Sequence, residues 1–329
     1  MRTEPVAAEV VVAGAGALGS VYGGVLANAG VDVVLLAHGR HEAALRQGEL
    51  NVRLPERTLA VPVRVATRAQ GRIVILTAKS GRTGGALDRL AGPPQLAVSF
   101  QNGPAKNDEL IRRFGSARVA GAVSMIAAEL AGPGLVSSAT VGVTYLGHER
   151  ETQRPGVAEL AAALSAAGLQ SRLTDDPSSV EWSKLAYTAP LMAVQALSGR
   201  YVHDLLAAAD AVHLISGVAA EIAAVARASG VEIRDWPGLF PVRTLLDAPP
   251  EEAHALLGRT AETLRAAGAV AYRTSMLQDL QAGRSTELEA IHGELVRRAD
   301  LLGVRVPMLA SSYRLCRLVS ADASRRSAE

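Results

Sequence analysis

The sequence predicts an α/β domain built on a mostly parallel sheet over residues 1–174, followed by an all-α domain over residues 175–329. Three observations predict it. Short β-branched runs alternate with Ala-rich stretches through the first half, the rhythm of buried strands joined by crossover helices. A glycine-rich loop stands at the first strand-to-helix junction. After Asp175-Asp176-Pro177 the strand pattern stops, and apolar residues recur at helical spacing almost to the end.

Taken in order, residues 9–13 form the first strand on Val10, Val11 and Val12, and residues 17–29 form an Ala-rich helix. Residues 32–37, 72–78 and 95–100 follow as buried strands. Residues 118–126 and 135–147 have no helix between them and flank the turn Gly132-Pro133-Gly134, which predicts an antiparallel hairpin at the edge of the sheet. In the second half, Gly199, Gly230, Pro237, Pro249-Pro250, Gly268, Gly283 and Pro307 punctuate a series of helices. The Ser/Arg/Ala-rich tail after about residue 321 reads as disordered.

Composition narrows the function classes. Apolar residues make up 49% and aromatic residues only 3%, so the cores are built from Ala, Leu and Val. The 34 basic and 32 acidic residues are scattered, without the basic stripe that a nucleic-acid groove needs, so no nucleic-acid partner is expected. Cys316 is the only cysteine, which excludes an internal disulfide and a Cys-based zinc cluster and fits a reducing, cytoplasmic setting. The most apolar later stretch is broken by Asp210, His213 and Glu221, so no membrane role is expected. A helical second domain is able to form a homodimer, although no exposed face identifies one.

The glycine loop carries the first candidate site. Spaced glycines arise by chance in a chain with 31 of them, but here they follow a strand, open a helix and precede a second strand. In that setting Gly14 permits a tight turn, Gly16 lets a pyrophosphate approach the backbone, and Gly19 packs helix on strand. Ala17 and Leu18 open the helix whose N–H groups face the phosphates. This is the dinucleotide-binding arrangement of a Rossmann-type domain. The second strand ends in Leu36-Ala37-His38-Gly39-Arg40, with no carboxylate to bond a ribose hydroxyl. Arg40, helped by His38, suits the 2'-phosphate of NADP; the alternative is that Arg40 is a solvated loop residue.

The chain has 31 arginines and only three lysines, Lys79, Lys106 and Lys184. Lys can lose its proton on burial where Arg cannot, so the three positions invite a chemical explanation. Lys79 ends a predicted central strand, on the side where an open α/β sheet binds ligands. Lys184 is the only charged residue between Glu181 and Arg200, on a helix where Thr188, Met192 and Gln195 share its face. The structural alternative is a Lys whose stem lies along apolar surface with its head in water.

These residues together resemble the ketopantoate reductases over essentially the whole chain. Gly14-Ala15-Gly16-Ala17-Leu18-Gly19 is similar to the family's nucleotide loop, Lys79 to its strand-end lysine, and Gln101-Asn102-Gly103 to the loop that places an Asn beside the nicotinamide. Trp182-Ser183-Lys184-Leu185 resembles its catalytic-lysine helix. Ser275-Met276-Leu277-Gln278-Asp279 and Gly283-Arg284-Ser285-Thr286-Glu287 resemble its most specific signature, and residues 303–307 its exit loop. The resemblance implies a Rossmann-type domain followed by a helical domain like the C-terminal domain of 6-phosphogluconate dehydrogenase. It also implies reduction of a 2-oxo acid by NADPH in a cleft between them.

In that reading Lys184 donates the proton and stabilises the alkoxide that hydride transfer leaves, while Glu287 orients Lys184 or a substrate hydroxyl. Asn102 serves both the cofactor and the carbonyl substrate, and Ser275 holds the substrate carboxylate. Local alternatives stand beside two of these: Thr286 and Glu289 fit a helix capping box next to Glu287, and Ser275 fits an N-cap. The chain departs from the family where Thr188, Met192 and Tyr272 stand in place of asparagines, and where His38 stands for an expected Arg. Losing amides weakens binding of a polyhydroxy acid and opens the pocket to a bulkier ketone. A non-catalytic sensor of NADP(H) is the remaining expectation from another class.

Overall fold

The computed structural model describes residues 4–326, with side chains to residue 321. The chain divides into two compact units, Met1–Gln101 with Lys106–Pro177, and Asn102–Ala105 with Ser178–Glu329.

The first unit runs β1 (Val6–Ala13), α1 (Ala17–Asn28), β2 (Val33–Leu36), α2 (Gly39–Gln47), β3 (Leu50–Arg53), β4 (Thr58–Val61) and β5 (Arg64–Val65). It continues with β6 (Ala69–Leu76), α3 (Thr83–Leu87), β7 (Leu96–Ser99), α4 (Asp108–Phe114), β8 (Val119–Gly132), β9 (Leu135–Gly147), α5 (Arg154–Ala166) and β10 (Ser171–Thr174). The ten strands form one sheet in the order β4-β3-β9-β8-β7-β6-β1-β2-β5, with β10 also paired to β9. Strand β1 lies parallel between β2 and β6, and β6, β7 and β8 continue the parallel ladder.

Alternate residues of these strands feed opposite layers, as a pleat with both faces covered requires. Val10 and Val12 pack with Val21, Val25 and Leu26 of α1 and Leu160 and Leu164 of α5. Val11 and Ala13 pack with Leu87 of α3 and Leu110 of α4. Tyr22 fixes α1 on the sheet: its ring stacks on Phe100 at 4.4 Å, and its hydroxyl bonds Ser124 at 2.9 Å and Thr144 at 2.6 Å. Burial pushes that phenol well above its ordinary range.

The β8–β9 hairpin forms as the sequence predicts, but it is not the sheet edge. Strands β3 and β10 both pair with β9, and β4 extends the sheet beyond β3. Strand β3 buries only Leu50 and Val52, so its alternating signal is four residues long and easily missed.

In the described residues of the second unit all regular structure is helical: α6 (Pro177–Ser198), α7 (Val202–Ala207), α8 (Ala209–Ala228), α9 (Val242–Asp247), α10 (Pro250–Ala266) and α11 (Ser275–Gln281). A π-turn (Glu289–Gly293) leads into α12 (Glu294–Leu302), and α13 (Pro307–Arg326) follows. Ala186, Ala189 and Ala193 give α6 a slim face that packs with Val218 and Ile222 of α8, Leu295 and Ala299 of α12 and Leu309 of α13. Helix α8 is long and apolar enough to cross a membrane by composition, but half of that stretch is buried within the unit, as in a core helix. Glu221 accepts the Met308 and Leu309 N–H groups at 2.9 and 2.7 Å, tying the start of α13 to α8. Helix α13 continues to Arg326 where the sequence reads as disordered, and the last three residues lie outside the described ones.

Candidate active site

The three loop glycines separate by what surrounds them. Gly14 has φ +101°, and a Cβ there would lie 2.4 Å from the Ala78 nitrogen, so only glycine fits where β1 turns beneath the end of β6. A Cβ on Gly19 would lie 2.5 Å from Thr77 Oγ1 and 2.6 Å from the Gly14 carbonyl, so this glycine sets the helix-to-strand approach. Gly16 faces open space, with nothing within 4 Å of a Cβ. Ala17 and Leu18 form the first turn of α1, whose N–H groups have no intrahelical acceptor and which carries no acidic side chain. An open glycine face beside uncompensated helix donors fits a pyrophosphate.

The end of β2, where the sequence predicts the cofactor's ribose, carries more basic groups than the sequence reading found. His38 caps α2 and Arg40 lies exposed in its first turn. Arg82, three residues past Lys79, donates to His38 Nε2. A guanidinium has no acceptor, so that ring nitrogen is unprotonated. Burial first, then Arg82 and Arg89, holds the His38 pKa below its ordinary value. Positive charge here therefore comes from Arg40 and Arg82 rather than from His38. Arg89 is spent on the backbone, donating to Ala37 O, Ala66 O and Thr67 O at 2.7–2.8 Å. Lys79 is exposed immediately beyond β6, before the 3-10 turn that ends in Arg82. Gln101 braces this corner, donating to Ala78 O at 2.5 Å and Thr83 Oγ1 at 2.8 Å.

In the second unit, half-buried Lys184 on α6 donates from Nζ to Asn102 Oδ1 at 2.8 Å, joining residues 82 positions apart. The segment that delivers Asn102 is held in two further places. Gly103 has φ +103°, and a Cβ on it would lie 2.5 Å from the Ala290 carbonyl, inside the π-turn. Arg298 Nη2 donates to Pro104 O at 2.9 Å. The π-turn is pinned in turn, because buried His292 donates from Nε2 to Ala189 O of α6 at 2.8 Å, and desolvation lowers its pKa to about 4.

The remaining sequence candidates sit on or beside this frame. Thr188 turns its hydroxyl back to Lys184 O at 2.9 Å, and Met192 is buried in the core of the unit. Gln195, fully buried, accepts from Thr274 N at 2.6 Å and donates to Tyr272 O at 3.2 Å, docking that segment on α6. Tyr187 stacks on Phe240 at 4.1 Å. Ser275 is exposed at the first position of α11; the N-cap is Thr274, not Ser275. Glu287 is half-buried just before the helix that starts at Leu288. The expected capping box is replaced, since Glu289 instead accepts from Tyr313 Oη at 2.6 Å. Among the described residues no cluster of His, Cys, Asp and Glu is arranged to hold a metal.

Comparison with known proteins gives one consistent result. Residues 10–151 match the model of the ketopantoate reductase PanE/ApbA family, and residues 178–320 match the model of its C-terminal domain. The 2-dehydropantoate 2-reductase of Halobacterium salinarum is 29% identical over 95% of this chain and 99% of its own length. That of Pyrococcus horikoshii is 28% identical over 96% and 98%. Among solved structures, a PanE/ApbA family ketopantoate reductase from Ralstonia eutropha superposes with TM-score 0.78 at 29% identity, covering 95% of this chain and 99% of that one. A D-mandelate dehydrogenase with NADH and anilino(oxo)acetate shares the fold at TM-score 0.81 and 20% identity, covering 95% and 99%.

Proposed function

The chain belongs to the ketopantoate reductase family of oxidoreductases, and we propose from that premise that it reduces the keto group of a 2-oxo acid with NADPH, converting 2-dehydropantoate to pantoate. The observation that carries this reading is the Lys184–Asn102 hydrogen bond, which joins the only charged residue between Glu181 and Arg200 to the loop after β7.

A nicotinamide held there would supply the hydride that the carbonyl carbon receives. As that bond forms, the carbonyl oxygen gains negative charge, and Lys184 Nζ stabilises it and delivers the proton that completes the hydroxyl. Asn102 Oδ1, accepting from the ammonium, holds Nζ at a fixed place. Glu287 orients Lys184 or a substrate hydroxyl, and Ser275 meets the carboxylate. On the cofactor side the residue 14–19 loop and the first turn of α1 would hold the pyrophosphate, with Lys79 beside it. Arg40 and Arg82 favour a ribose 2'-phosphate, which carries close to two negative charges.

One observation favours a second substrate. Thr188 and Met192 carry no amide, the Thr188 hydroxyl is turned back on its own helix, and Tyr187, Phe240 and Tyr272 pack in one apolar cluster along α6. A bulkier, less polar ketone matches that lining better than a polyhydroxy acid does. The test is NADPH and NADH oxidation with 2-dehydropantoate and a panel of larger 2-oxo acids and ketones, with Lys184→Ala as control. Turnover of 2-dehydropantoate above the rest supports the first reading, and preference for a larger ketone the second. No turnover with any carbonyl, with NADPH still bound, would make the protein a cofactor sensor.

A further inference from the structure

His41 follows Arg40 on α2 and is 7% exposed, with both ring nitrogens engaged. Nδ1 accepts the Gly134 N–H at 3.0 Å, and Nε2 lies 3.0 Å from Ser20 Oγ. An amide N–H can only donate, so Nδ1 carries the lone pair and Nε2 carries the hydrogen, which it donates to Ser20. The ring is thus neutral and in a single tautomer. Each partner leads to a different part of the unit. Ser20 is the residue after Gly19, fully buried, and its own N–H bonds the Gly16 carbonyl at 2.9 Å. Gly134 closes the β8–β9 turn with φ +73°, where a Cβ would lie 3.5 Å from Ala44 Cβ of α2. Its carbonyl accepts from Asn51 N at the start of β3 at 2.8 Å. The Gly132-Pro133-Gly134 turn, which no catalytic role uses, is therefore docked on the helix that carries the ribose-side residues.

We propose that His41 is a positioning residue for cofactor binding: its neutral ring ties α1, which opens from the glycine loop, to α2, which starts at His38 and Arg40, and braces both against the hairpin turn. One side chain then sets the spacing between the pyrophosphate and ribose parts of the cofactor site. The proposal rests on the reading that the adenosine ribose lies at the start of α2. Protonation breaks the device, because Nδ1–H and the Gly134 N–H would point at each other. The groups that face His41 are Ser20 from α1, the Gly134 amide from the turn, and His38 from the loop before α2, which in turn faces Arg82, Arg89 and Glu42. Burial, then His38, keeps the His41 pKa below its ordinary value, so the ring is neutral in ordinary buffer.

The test measures KM and kcat for NADPH and NADH, and dissociation constants for NADP, across pH in the full-length protein. His41→Leu removes both bonds, His41→Asn keeps an acceptor near Gly134, and His41→Gln keeps a donor near Ser20. His41→Leu should raise the KM for both cofactors about tenfold, the worth of one to two buried hydrogen bonds, with kcat within about twofold. His41→Asn and His41→Gln should recover part of the loss, and they answer the question if His41→Leu does not fold. Wild-type affinity for NADP should fall as pH drops below about 6.5, and the His41→Asn profile should lack that component while His38→Gln retains it. The ligand's own titration is common to all of these variants. Unchanged KM and an unchanged pH profile in both His41→Leu and His41→Asn overturn the proposal, as does a loss confined to kcat. If wild type shows no preference for NADPH over NADH, the 2'-phosphate reading fails, while an equal loss for both cofactors still supports His41.

Discussion

The glycine loop and the Lys184–Asn102 pair are built in opposite ways. The loop is backbone geometry compressed into six consecutive residues, and its glycines act by what they lack. The pair is side-chain chemistry drawn from positions 82 apart, and it exists only because Gly103, Arg298 and His292 hold the intervening pieces. The comparison teaches that the glycine loop resists change through sterics, whereas the Lys184–Asn102 pair depends on a few polar contacts that can be exchanged while the fold persists.

The largest effect expected is on the second construction. Lys184→Ala should lower kcat by about 10²–10⁴-fold, the usual worth of a positioned proton donor, with cofactor affinity within about twofold of wild type. Steady-state kinetics and a cofactor titration check both parts, and a matching loss of cofactor binding would erase the contrast.

Gly14→Ala should destabilise the first unit by about 1–3 kcal/mol or more, from its positive φ together with overlap on Ala78. Gly16→Ala, facing open space, should leave stability within about 0.5 kcal/mol while lowering cofactor affinity about tenfold. Urea unfolding with cofactor titration separates them, and equal unfolding midpoints would break the distinction between the glycines. Arg40→Ala and Arg82→Ala should each raise the Kd for NADPH about tenfold and leave NADH within about twofold.

A pH series sharpens the other side of the comparison. His292 is buried neutral, with its pKa lowered from 6.5 to about 4. Because the unfolded state takes up a proton first, stability should fall as pH drops below about 6.5, and the fall should level off below about 4. The urea midpoint of wild type should show this decline, and His292→Gln, which keeps a donor for Ala189 O, should flatten it. The smallest effect expected is from Thr188→Asn, which returns an amide to the Lys184 face and should improve KM for 2-dehydropantoate by about two- to fivefold. No change there would place residue 188 outside the substrate contacts.

What the sequence made legible follows the same division. The parallel strands, the glycine loop and the helical second half carry periodic or local signals, and the structure contains all three. Strands β3, β4 and β10 escaped because each is short and largely exposed on one or both faces, without the continuous buried apolar run that marks the equally short β2 and β7, and with them went the correct position of the hairpin. Arg82 escaped because its partner His38 is 44 residues away; the available signal was a second basic residue just beyond the strand end at Lys79. The π-turn and its grip on Gly103 leave no pattern in a single sequence, since they arise from a backbone irregularity meeting a distant loop. Glu289 fits the pattern of a capping box, yet its carboxylate goes to Tyr313, a choice made by tertiary contact alone.

The excursion of Asn102–Ala105 bears on how such a protein can be recombined. The four residues Asn102–Ala105 belong to the second unit although the chain on both sides of them belongs to the first. A cut at Pro177 hands over the lysine without its asparagine. A helical module transplanted between relatives must take the tetrapeptide with it, and so must any lineage that shuffles the two halves.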